Sequence, residues 1–380
     1  MDELIPVFKP HIGIETAKAA VAALDLGWLG MGSYVGEFER GLESYLGLTG
    51  RRVVAVNTGT SALHLAMLVT GVGPGDEVIT PSFNNIGDLQ AIRAVGADPV
   101  FCDIRNDNLG IDVAKAEALV SPRTKVVIGM DYAGIPCDLD NLHAMAGRHR
   151  LRVVHDAAHS LGSRHGGKPI GSVGDIVIFS FDAVKTLTCI DGGALVVNSE
   201  GEVEQLHRLR FLGTDQSPQR LYTNNRSWTY DVAGPGFRYH LANLHASIGL
   251  SQLSRLDEFV ATRQRACRLY SDLLGDVDGL TLPATDFRDV APFIYYVRVL
   301  NGRRDALKQA LLERGVDTGI HWIPGHQFSF FKDCRGGDLS VTERIGSEIL
   351  TLPLHSFMEV QTVERVAAAI SASLRMARAA

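Results

Sequence analysis

Seven short apolar runs alternating with helix-compatible stretches constrain the fold of this 380-residue chain more than any other feature. The runs are Arg52–Val56, Glu77–Thr80, Pro99–Asp103, Lys125–Met130, Arg152–His155, Asp175–Ser180 and Ala194–Asn198. Several are apolar throughout, without the polar alternation of a half-wet sheet, so both of their faces must be covered. The stretches Thr60–Val69, Ile86–Val95, Val113–Val120 and Leu139–His149 supply helices to cover them. This order predicts an α/β fold, a mostly parallel sheet of about seven strands flanked by helices.

Beyond residue 200 the pattern changes. Residues 214–235 are polar and turn-rich and read as a long exposed loop or a disordered segment. One long helix is expected from Leu241 to about Leu274, then a strand at Tyr295–Leu300, a helix at Arg304–Arg314 and a terminal helix at Val360–Met376. The length suits two domains. We read residues 1–250 as a large α/β domain, its N-terminal segment packing on the smaller one, and 251–380 as a small α+β domain.

Composition excludes several classes of function. A chain that is 46% hydrophobic and 21% charged is globular, and a net charge of −6 spread along it leaves no footprint for nucleic acid. No apolar run approaches a membrane span, and Met1-Asp2-Glu3-Leu4-Ile5-Pro6 has no signal-peptide character. Cys102, Cys137, Cys189, Cys267 and Cys334 show no CxxC spacing, so reduced thiols are expected, neither disulfides nor a metal site. The expected compartment is the cytoplasm.

The chemistry gathers around Lys185, placed between the strand ending at Ser180 and the Gly192-Gly193 pair that opens the next. A lysine there is either a loop side chain facing water or a desolvated amine, and a desolvated amine can form a Schiff base with an aldehyde such as pyridoxal phosphate (PLP). Asn57-Thr58-Gly59-Thr60-Ser61 follows the first strand and opens a helix. Its free N–H groups offer either an anion cradle or an ordinary helix cap. Asp156 stands at the carboxyl end of a strand, where ligands of such sheets collect, and its carboxylate suits a pyridinium nitrogen. His159 either contacts that ligand or is a satisfied helix-start histidine. A phosphate cradle, a pyridinium partner and a Schiff-base lysine are together explained by one cofactor.

Those residues carry a resemblance that runs almost end to end. Besides them it includes Ile5-Pro6-Val7, Gly27-Trp28-Leu29-Gly30, Gly75-Asp76-Glu77-Val78-Ile79-Thr80-Pro81-Ser82-Phe83, Gly134-Ile135-Pro136-Cys137-Asp138, Ala242-Asn243-Leu244-His245, His321-Trp322-Ile323-Pro324 and Leu352-Pro353-Leu354-His355. The chain resembles the DegT/DnrJ/StrS family, sugar aminotransferases of the aspartate-aminotransferase (PLP fold type I) architecture. The resemblance implies an enzyme that cycles between PLP and its pyridoxamine form (PMP). It would move an amino group from L-glutamate to a keto-sugar, in cell-surface polysaccharide or natural-product biosynthesis. It implies that Lys185 is the Schiff-base lysine and proton shuttle, and that Asp156 pairs with the ring nitrogen. Gly59, Thr60, Ser61 and Ser180 would hold the phosphate, with His159 beside the ring. It further implies a homodimer with shared sites.

Four departures from the family pattern stand out. Asn85 occupies the position of a ring that stacks on the cofactor. Arg238 replaces an asparagine that reaches phosphate from the neighbouring subunit, and it could bind phosphate or substrate. Asp191 shortens the usual glutamate by a methylene, and Asp182 replaces a histidine. Asp191, His321 and His326 are candidate substrate contacts, His326 being equally readable as a surface histidine. Two rival readings are a deoxysugar dehydratase, which the retained Lys185 counts against, and a non-catalytic sensor that keeps the fold.

Overall fold

The continuous apolar runs become the strands of one seven-stranded sheet. In the computed structural model, which describes residues 4–379 (the last four by backbone alone), the strands are β1 (Arg52–Val56), β2 (Glu77–Pro81), β3 (Asp98–Cys102), β4 (Thr124–Met130), β5 (Arg152–Asp156), β8 (Ile176–Ser180) and β9 (Gly193–Val197). Between β5 and β8 lies a two-residue hairpin, β6 (Arg164–His165) with β7 (Lys168–Pro169). The sheet order is β1-β9-β8-β5-β4-β2-β3, and only β9 runs against its neighbours. Met1, Asp2 and Glu3, read above for a leader, lie outside the described residues.

Side chains alternate between the two faces with period two, and both faces are dry. Val53, Ala55, Ile79, Val127, Val153 and Val177 join one core, which includes Phe38 and Leu42 of α2 (Ser33–Tyr45). Val54, Val56, Val78, Val126, Val154 and Ile178 join the other. That second core is closed by α3 (Gly59–Val69), α4 (Ile86–Ala94) and α7 (Glu200–Arg210). Helices α5 (Val113–Ala118) and α6 (Leu139–His149) cover the first face further along.

Two helices before β1, α1 (Ile14–Asp25) and α2, go beyond the sequence reading. Residues 214–235 also depart from it: α8 (Pro218–Leu221) forms a turn there, Leu221 is buried, and the Tyr222 hydroxyl bonds Glu39 and Arg210. Thr214 is buried as well, and residues 228–233, including Trp228 at 85% exposure, meet the expectation of an exposed loop. The single helix expected at 241–274 is two, α9 (Asn243–Leu253) and α10 (Leu256–Leu274). Neither Ser254 nor Arg255 is a helix breaker, so composition conceals the break.

Residue 250 lies inside α9, and it is α10 that joins the two halves. Leu256 and Val260 of α10 enter the core of the large sheet, while Ala266, Tyr270 and Leu274 enter a separate one. That separate core lies under the antiparallel sheet β10 (Leu280–Thr281), β11 (Tyr295–Val299) and β12 (Ile349–Leu352). Helices α11 (Arg304–Leu312) and α13 (Val360–Ala379) complete it, and α12 (Ser340–Glu348) precedes β12. The N-terminal strand segment docks here too: Ile5 N–H donates to Gly315 O at 2.9 Å, and Asp317 N–H to Ile5 O at 3.0 Å.

Candidate active site

Parallel strands β5 and β8 end side by side, and the loops leaving them place Asp156, Ser180 and Lys185 around one cavity of about 430 Å³. That size suits a small-molecule cofactor site. Gly59, Thr60, Asn85, His159, Asp191 and His321 line the same cavity. Nine of the twelve residues singled out from sequence are thus brought together, and Ser61, Arg238 and His326 are not.

The Lys185 loop is tied at its neck by Phe181 N–H to Gly192 O at 2.8 Å and Cys189 N–H to Phe181 O at 3.0 Å. Within it Asp182 accepts the Lys185 N–H on its carbonyl at 3.0 Å. The half-buried Lys185 Nζ has no hydrogen-bond partner among the described residues and sits 4.1 Å from the Phe293 ring centroid. Burial pulls its pKa down to about 8, against the attraction of Asp156 and Asp182. An amine so placed is a usable nucleophile near neutral pH.

Asp156 is 4% exposed and accepts the Ala158 N–H on Oδ1 at 2.9 Å. Burial raises its pKa, while Ala158, Asp88, Lys185 and His155 oppose the rise. Behind it, His155 Nε2 lies 2.8 Å from Asp131 Oδ2, and Asp131 also accepts from Ser160 Oγ at 2.6 Å and Cys137 N–H at 2.9 Å. Asp131 thus holds two protein donors with His155 close by, and the Asp131–Cys137–His155 cluster reads as a buried brace for β5.

At the start of α3, Thr58 is the N-cap and accepts the Ser61 N–H at 2.9 Å. Ser61 Oγ donates to Asn57 Oδ1 at 2.6 Å. Ser61 is therefore turned inward and its N–H is spent on the cap, which corrects its expected place in the cradle. The N–H groups of Gly59 and Thr60 have no partner among the described residues. Gly59 lies so close to Ser180 that an added Cβ would stand 2.9 Å from Ser180 Cβ. Two free N–H groups and a hydroxyl converge there on a helix N-terminus, as an anion site requires.

Aromatic groups from distant parts of the chain build the opposite wall. His159 is 4.5 Å from Phe293 and 6.1 Å from Trp322 by centroids, and Phe8 stacks on Phe293 at 5.4 Å. Burial and the Lys185 amine keep His159 neutral and bring His321 down to about 4. Asn85 does not take the place of a stacking ring: its side chain caps α4 by accepting the Gly87 N–H at 2.8 Å. Phe8, Phe293 and Trp322 were not singled out from sequence; the nearest signal was the pair of motifs that flank Phe8 and contain Trp322.

The two other outliers have plain causes. His326 Nδ1 is 2.7 Å from Ser82 Oγ and its Nε2 is 3.4 Å from Glu343. Both ring nitrogens are engaged in packing 325–327 against the end of β2, outside the first cavity. Arg238 is exposed and lines a second cavity of about 300 Å³ with Trp28, Arg226, Trp228 and His240.

The first cavity fits a phosphorylated pyridine aldehyde. His159 Nδ1 and Trp322 Nε1 are buried without a hydrogen-bond partner among the described residues, and both residues line the cavity with the Lys185 amine, the Asp156 carboxyl group and the start of α3. The family model described as the DegT/DnrJ/EryC1/StrS aminotransferase family matches residues 10–371. The chain belongs to that family. It is an aminotransferase, and its cofactor is PLP. The aminotransferase TlmJ from Streptoalloteichus hindustanus is 34% identical over 99% of this chain and 100% of its own, with a TM-score of 0.91. The sugar aminotransferase CalS13 from Micromonospora echinospora is 28% identical over 97% and 100%, with a TM-score of 0.88. The Streptococcus pneumoniae protein Spr1654 in its PMP-form is 27% identical over 99% of each chain, with a TM-score of 0.91.

Proposed function

We propose that this aminotransferase moves the amino group of L-glutamate to a keto-sugar, a nucleotide-linked 3- or 4-keto-deoxyhexose, for cell-surface polysaccharide or natural-product biosynthesis. The observation that carries the reading is the unpaired Lys185 amine set in one cavity with the buried Asp156 carboxyl group. The family and the likeness to CalS13 support the sugar as acceptor.

When bound, PLP supplies an aldehyde that exchanges amines and a ring that takes up the electrons of a broken C–H bond. The protein's part is to hold and to move protons. The Gly59 and Thr60 N–H groups and the Ser180 hydroxyl, which line the cavity at the start of α3, would hold the phosphate. Asp156, held by the Ala158 N–H, would accept the hydrogen bond of the ring nitrogen and keep it protonated. His159 and Trp322 shape the ring's surroundings. Lys185 Nζ, as a free amine, would serve as the base that takes up and returns the proton of the donor's α-carbon, and would do the same in the opposite sense for the acceptor. Asp191 and His321, which line the same cavity, would contact the substrate. The working form is a homodimer in the cytoplasm, with Arg238 of one protomer reaching the neighbour's site. Among the described residues no helix is long and apolar enough to cross a membrane.

Incubating the enzyme with glutamate and a panel of keto-sugars should produce 2-oxoglutarate for one substrate class. Lys185→Ala should fold and show no turnover. Borohydride reduction of the PLP-loaded protein should leave a pyridoxyl tag on Lys185. A tag on another residue, or full turnover by the alanine variant, refutes the assignment.

A further inference from the structure

Asp88, in the first turn of α4, is completely buried, and the reaction outlined above gives it no task. Its Oδ2 accepts a hydrogen bond from the Asn84 amide, while Oδ1 is buried with no donor. The carboxyl group it interacts with is Asp156, which lines the cofactor cavity together with Asn84 and Gly87, the neighbours of Asp88 at the start of α4. Two carboxylates in a dry contact cannot both be ionised, so the pair must retain a proton. A proton between them also satisfies the orphaned Asp88 oxygen, which no donor among the described residues does.

The surroundings decide which partner carries it. Asp156 accepts the Ala158 N–H and feels the positive potential of Lys185 and His155, all of which favour its anion. Asp88 receives one amide N–H, and that bond occupies Oδ2, leaving Oδ1 as the protonated atom. The start of α4 favours an anion at Asp88. Desolvation, the largest influence on Asp88, acts the other way, and the adjacent Asp156 charge adds to it.

We propose that Asp88 is a neutral carboxylic acid that donates its O–H to Asp156, a positioning residue fixing the orientation and basicity of the carboxylate at the floor of the cofactor pocket. The proposal rests on reading Asp156 as the partner of the ring nitrogen. An O–H donor makes Asp156 a weaker base, so the proton between Asp156 and the ring stays on the ring, where it is needed.

Two measurements test it, the first independent of the cofactor. Apoprotein is unfolded with urea between pH 5 and 7.5, wild type beside Asp88→Asn. The folded wild type holds a proton that the unfolded chain, with an ordinary aspartate value of 3.8, has released. Its unfolding constant should therefore rise about tenfold more per pH unit than that of the variant, which has no such proton. Asp156, the titratable group that acts on Asp88, and the Lys185 and His155 groups that act on Asp156 are common to both proteins. Equal slopes overturn the proposal.

In the second, the visible band of the PLP-loaded protein is titrated. Asp88→Asn, whose amide still donates to Asp156, should keep the wild-type midpoint, and Asp88→Ala should raise it by about one pH unit, a tenfold change in the equilibrium. A shift in the asparagine variant as large as in the alanine variant shows that charge rather than the donor matters, and overturns the proposal. A protein that binds no PLP defeats the functional reading but leaves the apoprotein comparison to decide on Asp88.

Discussion

Gly193 is the residue whose smallest possible enlargement should do most damage to the cofactor site. It opens β9, paired with Val56 on one side and Ser180 on the other. A Cβ built there would lie 2.4 Å from Thr58 O, 2.6 Å from Thr58 C and 2.8 Å from Gly59 N, all of them backbone atoms. Ordinary contact begins near 3.4 Å, so Gly193→Ala must drive the Thr58–Gly59 backbone back by about 1 Å. The strands on either side keep β9 from yielding, so the shift falls on the cap of α3. Such overpacking costs about 1–3 kcal/mol of stability. The greater loss should be functional, because a ~1 Å misplacement of a positioning group can cost on the order of a hundredfold. We expect PLP affinity, read by equilibrium dialysis or the visible absorbance, to fall at least tenfold, while urea unfolding shows the smaller loss. A Gly193→Ala protein with wild-type PLP affinity refutes the placement of the phosphate at Gly59 and Thr60.

Three further outcomes are expected. Because the Lys185 amine is brought down to about 8, its neutral, nucleophilic share rises tenfold per pH unit below that value and levels above it. The rate at which apoprotein combines with PLP should follow that curve in stopped-flow absorbance, and a rise centred near 10.5 contradicts it. Arg210 is wholly buried, with Nη1 2.6 Å from Glu39 Oε1 and Nη2 2.6 Å from the Tyr222 hydroxyl. Arg210→Ala strands the Glu39 carboxylate and should cost about 3–5 kcal/mol in urea unfolding; a loss under 1 kcal/mol disproves the role of this pair. If Arg238 serves the neighbouring site, mixing inactive Lys185→Ala with Arg238→Ala and letting protomers exchange should restore activity, since one site of each mixed dimer is then whole. No recovery after exchange argues against shared sites.

The sheet was legible because each strand is buried on both faces, which forces uninterrupted apolar runs such as Val53–Val56 and Ile176–Phe179. The same logic hid α1. Of its side chains only Thr16 and Ala23 are buried, while Ile14, Val21 and Leu24 face outward, so its apolar residues trace no core stripe. The break between α9 and α10 was hidden because residues 254–255 carry no local signal.

In the site, legibility followed the backbone. Asp156 and Ser180 end strands, Gly59 starts a helix and Lys185 lies in the loop leaving β8, places where topology turns side chains and N–H groups toward the crevice. The aromatic wall comes from Phe8, Phe293 and Trp322, assembled by contact between the two cores and marked by no local pattern. Ser61 shows the limit most clearly. Its hydroxyl and its place in the first turn of α3 suit a phosphate, but Thr58 takes its N–H and Asn57 its hydroxyl. A residue's chemistry states what it can bind, and only the accounting of partners around it shows what it has left to offer.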